Sequence, residues 1–85
     1  MMIYESTSET RQKAPPHMAG HRDRLDEFQR RGKLLMAGPL MDGTGRAIGV
    51  FTSKESAEEF IAGDPFITNG VVTNWTIAEW GEVLD

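Results

Sequence analysis

The sequence predicts an α+β domain of ferredoxin-like type, in which a βαββαβ order builds a four-stranded antiparallel sheet with two helices on one face. Three observations lead there. Two segments carry apolar residues at helical spacing, one over 17–31 and one after Ser53. Short apolar or β-branched runs open the chain, lie between those segments and close it. The turn Asp42-Gly43-Thr44-Gly45 joins the two middle runs as a hairpin.

Each element has its own warrant. Met2-Ile3-Tyr4 is long enough for one modest strand. The polar stretch from Glu5 to Lys13 offers nothing to pack a core and reads as a connection. Pro15-Pro16 suits the first turn of a helix. In that helix Met18, His21, Leu25 and Phe28 recur at spacings of three, four and three, forming one inward stripe. Arg22, Asp23, Asp26, Gln29 and Arg30 fall on the wet side, and Gly32 ends the helix in the left-handed conformation. Leu34-Leu35-Met36-Ala37 is a strand stopped by Gly38-Pro39, and Ala47 to Phe51 is its hairpin partner. Thr52-Ser53-Lys54-Glu55 has the pattern of a capping box. Ala57, Phe60 and Ile61 give the second helix its apolar face, and Gly63 closes it. Pro65 forces Asp64 into extended geometry, so the carboxylate sits on a stiff corner. Val71 to Trp80 is β-branched and aromatic, hence the last strand.

Eighty-five residues make one domain, 1–85, close to the size at which a single core only just suffices. Cysteine is absent, which removes disulfides and thiolate chemistry. A net charge of −4 and a pI near 5.1 argue against a nucleic-acid partner. The strand expected to display aromatic and basic residues in an RNA-recognition domain is here Ala47 to Thr52, with one aromatic. No apolar run approaches the roughly 20 residues that cross a bilayer, and a cytoplasmic protein with no membrane partner is expected. Trp75 and Trp80 lie five apart and, on one strand, would point to opposite faces. An indole on the helix-free side would be covered by a second copy, so a homodimer is expected.

Two residues carry candidate chemistry. His21 on the inward stripe can act as acid and base near neutrality, although a stripe histidine also serves as a core residue with one hydrogen bond. Asp64 can orient an imidazole, or simply cap the short helical turn over Phe66-Ile67-Thr68; one carboxylate can do both. His17 and His21 have the i, i+4 spacing of metal ligands, but no third ligand stands near them in the sequence, and neither metal nor cofactor is expected. The loop from Gly38 to Gly45 lacks the Gly-Lys-Ser/Thr of a phosphate cradle, and no serine sits in a nucleophile elbow.

Three ordered blocks resemble the YciI-like (YCII-related) family: His21 ahead of Gly32-Lys33-Leu34-Leu35-Met36-Ala37-Gly38-Pro39-Leu40; Gly49 followed by Ser53-Lys54-Glu55-Ser56-Ala57-Glu58-Glu59-Phe60; and Asp64-Pro65-Phe66 with Gly70-Val71 and an Ile77…Trp80 ending. The resemblance implies a ferredoxin-like subunit that pairs into a dimeric α+β barrel, with His21 and Asp64 meeting as a catalytic dyad. The family often carries Arg-Pro just ahead of the histidine. Here Met18-Ala19-Gly20 stand there, leaving Arg11 or Arg24 as candidates to supply the cation.

The function expected is therefore acid–base catalysis by His21 and Asp64, an elimination or isomerisation of a small organic molecule. Gly38, Pro39, Phe66 and Trp80 would line its pocket. The alternatives are a non-catalytic dimeric module that binds a metabolite or a partner protein, and a small cofactor-free oxygenase.

Overall fold

The structure, a computed structural model, describes residues 1–79. Its elements are β1 (Met2–Glu5), α1 (Ser8–Lys13), a 3-10 turn (Pro15–His17), α2 (Met18–Arg30), β2 (Leu34–Pro39), β3 (Arg46–Phe51), α3 (Lys54–Gly63), α4 (Pro65–Thr68) and β4 (Asn74–Ile77). The strands run in the order β2-β3-β1-β4, each antiparallel to its neighbours. This is the ferredoxin-like α+β arrangement.

Register decides which residues meet the helices. Met2 stands opposite Gly49 and Tyr4 opposite Ala47, so alternation turns these four toward the helices. Phe51, on the same phase of β3, meets Phe28 of α2 at 6.3 Å and Phe60 of α3 at 5.4 Å between ring centroids, and Phe28 and Phe60 meet each other at 5.3 Å. Burial of each such ring stabilises by about 1.5–3 kcal/mol, which makes this cluster the centre of the core. Arg24 locks the two helices from outside. Its guanidinium donates to the carbonyls of Phe60 (2.9 Å) and Glu59 (2.7 Å) near the C-terminus of α3 and lies over the Phe28 ring.

Five details depart from the sequence reading. Gly38 and Pro39 do not stop β2 but continue it, paired with Ile48 and Ala47. The polar connection contains α1, because Thr7 and Thr10 cap one another: each backbone N–H donates to the other's hydroxyl, and Thr10 is buried. The cap of α3 is Ser53, which accepts from the Ser56 N–H (3.1 Å), one residue later than the Thr52 pattern implied. A bulge between Leu34 and Met36 leaves Leu35 exposed on the edge of the sheet. The last strand is only Asn74–Ile77. Val71 and Val72 are buried off the sheet, where the Val72 N–H donates to the Phe66 carbonyl (2.9 Å) and Gly70 turns at φ 68°.

Trp75 pairs with Tyr4 and so lies on the helix-bearing face, at the sheet's edge, while Trp80 lies outside the described residues. On the helix-free face, register places Ile3, Met36, Ile48 and Val50. No helix among the described residues is long and apolar enough to cross a membrane.

Candidate active site

Asp64 has no exposed surface. It links α3 to α4 in extended geometry (φ −70°, ψ 124°), as Pro65 requires, and caps α4 by accepting from the Phe66 N–H at 3.2 Å. The same oxygen, Oδ1, accepts from His21 Nδ1 at 2.8 Å. Oδ2 accepts from the Tyr4 hydroxyl at 2.6 Å. Donors from β1, α2 and the start of α4 thus satisfy one buried carboxylate, a group that would otherwise be very costly to remove from water.

Tyr4 is held in one role. Burial, then the hydrogen bond to Asp64 and the charge of that carboxylate, push its phenol far above the ordinary value, against a smaller opposing effect of Arg24. The hydroxyl therefore stays protonated and serves as a donor.

His21 is fixed on a face and on an edge. Phe66 stacks on it with centroids 3.9 Å apart and planes 3° from parallel, while Phe60 meets it edge-on at 6.2 Å. With Nδ1–H given to Asp64, Nε2 has no hydrogen-bond partner among the described residues, and the side chain keeps 14% exposure. Gly20 permits this approach. A Cβ there would stand 3.2 Å from Cγ of Pro65, so a glycine inside α2 lets the helix lie close to the corner that carries Asp64.

His21 borders a cavity of about 390 Å³ between α2 and the sheet. The strands contribute small residues there, Ala37, Gly38 and Ala47, which leave the space that larger side chains would fill. Pro39 also lines it. Phe66 does not, standing behind the imidazole instead, and Trp80 is outside the described residues. Among the described residues no group of three or more His, Asp or Glu side chains could hold a metal ion.

Neither Arg11 nor Arg24 borders the cavity; Arg24 is committed to the α3 carbonyls. Arg22, assigned by spacing to the wet side, does border it. Two polar site residues thus escaped the sequence reading. Tyr4 shares its strand phase with Met2, and a buried tyrosine hydroxyl calls for a partner, which was the available signal. Arg22 stands one turn from Met18 and three residues before Leu25, so a second stripe through 18, 22 and 25 was equally present.

Comparison with known proteins adds family and fold. Residues 1–81 match the YCII-related domain. The uncharacterized protein YjpA of Bacillus subtilis is 40% identical over 65 residues, covering 75% of each chain. The fold is similar to that of 5-chloro-2-hydroxyhydroquinone dehydrochlorinase (TftG) from Burkholderia phenoliruptrix AC1100, solved in complex with 2,5-dihydroxybenzoquinone. That match has a TM-score of 0.71 at 19% identity and covers 96% of this chain and 93% of the other. On the match over residues 1–81 and the likeness to YjpA, the chain belongs to the YCII-related family.

Proposed function

We propose that the protein is an acid–base enzyme that eliminates or isomerises a small organic molecule, with His21 moving the proton and Asp64 orienting His21. The observation that carries this reading is the 2.8 Å contact between His21 Nδ1 and a fully buried carboxylate, on a ring that also borders a cavity. Nδ1 keeps its proton in the bond to Asp64, so Nε2 offers its lone pair to the cavity. Nε2 takes a proton from a carbon next to a carbonyl, or, in a chlorinated hydroquinone held as its keto tautomer, from the ring hydroxyl conjugated with the C–Cl carbon, and the freed electron pair moves into the conjugated system. In an isomerisation the imidazolium returns that proton to another carbon; in an elimination the electron pair expels the leaving group. Asp64 stabilises the imidazolium, while Tyr4 and the Phe66 N–H hold Asp64 in place. Gly38 and Pro39 form a wall of the site, and Phe66 backs the imidazole. The structural neighbour is named as a dehydrochlorinase, which supports an elimination.

The test is chloride release from 5-chloro-2-hydroxyhydroquinone, followed for the native chain and for His21→Ala. Loss of 10²- to 10⁴-fold in rate, with the melting transition retained, is the expected result. If the variant keeps its rate, the acid–base role is wrong.

A second reading has its own support. Asp64 ties three elements together, so the pair also suits a structural clamp in a non-catalytic module that binds a metabolite or partner. Loss of folded structure in His21→Ala favours that reading. We further propose that a second copy covers the sheet face bearing Ile3, Met36, Ile48 and Val50, giving a homodimer.

A further inference from the structure

The cavity beside His21 has an uneven chemistry. Most of its wall is apolar, with Met2, Met18 and Leu25 contributing, and no carboxylate borders it among the described residues. Tyr4 reaches it as a ring, its hydroxyl already given to Asp64. Arg22 is the single permanent cation on that wall. Three other arginines are engaged: Arg24 with the carbonyls of α3, Arg31 with Glu27 and Glu59, Arg46 with Asp42; Arg11 and Arg30 do not border the cavity. Arg22 makes no ion pair among the described residues, although Asp26 stands one turn further along α2, beside the neighbouring groove. A guanidinium at the edge of an apolar concavity meets less competing water than one on an open surface. Its planar fork matches a delocalised oxygen pair.

We propose that Arg22 is the anion-recognising residue of this cavity, which selects small, largely apolar molecules carrying a carboxylate. This rests on the reading of the cavity as the substrate site. A volume of about 390 Å³ suits a molecule of roughly one ring with its substituents. Arg22 and His21 are consecutive on α2, so the anionic end of the ligand lies within one ring's span of the imidazole. Negative charge that develops on oxygen when His21 takes a proton would then build up close to a fixed positive one.

The test uses benzoate and its neutral isostere benzamide as probes of the full chain, followed by NMR of the backbone amides and the His21 ring at low salt. The expected result is that both perturb signals around the cavity and that benzoate binds about tenfold more tightly, a preference that shrinks as salt is added. In Arg22→Gln, an exposed helix position where glutamine is well tolerated, the preference should vanish while benzamide binding is unchanged. Arg22→Lys should keep part of it. Equal affinity for the two probes, a preference that survives Arg22→Gln, or binding of neither overturns the proposal. Binding requires no turnover, so a charge preference in a chain that catalyses nothing upholds Arg22 while removing the acid–base role of His21.

Discussion

Tyr4 shows how much one hydroxyl can decide. It is the only tyrosine of the chain, and its proton sits in a 2.6 Å bond to Asp64 Oδ2. Tyr4→Phe keeps the ring but leaves a buried carboxylate oxygen unpaired, and should cost about 1–3 kcal/mol in urea denaturation. The pH dependence has a definite sign. The unfolded chain gives up the phenol proton above the ordinary value of 10.0, whereas the folded chain holds it to much higher pH. Above that value the unfolded state binds fewer protons, so stability falls as pH rises, by about 1.4 kcal/mol per unit for this one group. Tyrosinate absorbance should therefore appear with unfolding rather than before it, and Tyr4→Phe should flatten the alkaline slope. A tyrosine that ionises near 10 in the folded protein would contradict the buried bond.

Among the elements, α2 carries the most of the site, and Gly20 sets its distance from the corner. Alanine at 20 gains about 1 kcal/mol of helix propensity, but its Cβ meets Pro65 Cγ at 3.2 Å. We expect Gly20→Ala to change the melting temperature little and to weaken the His21–Asp64 contact, seen as a shift of the His21 ring signals toward those of free histidine. The stripe of α2, the hairpin glycines and the Asp64-Pro65 corner were legible in the sequence because each follows from local rules: helical spacing, positive φ and the geometry before proline. Gly32, Gly43 and Gly45 adopt φ between 72° and 77°, as such turns require. What was not legible depends on partners far along the chain. The Thr7–Thr10 cap carries no apolar signal, and Val71 and Val72 look like strand residues until α4 is there to bury them. Tyr4 reads as one more apolar residue until Asp64 is placed beside it, 60 positions later. Arg22 sits between two possible stripes, and only the small residues of β2 and β3 create the cavity that gives it a role.

At the scale of the whole molecule, one face of the sheet carries the helices and the other presents Ile3, Met36, Ile48 and Val50. Sedimentation of the native chain at micromolar concentration should show a dimer, and Ile48→Lys, a charge in the middle of that face, should yield a folded monomer. A native monomer would end the homodimer proposal. The three-way junction at Asp64 has a further bearing, on the order of folding. Its two long-range contacts close chain segments of 43 and 60 positions, one through His21 and one through Tyr4. No contiguous fragment shorter than the span from β1 to α4 contains all its members. The paired imidazole is thus a signature of completed assembly: during refolding, the Phe66 ring-current shift on His21 should appear only when the first strand and the Asp64 corner are both in place.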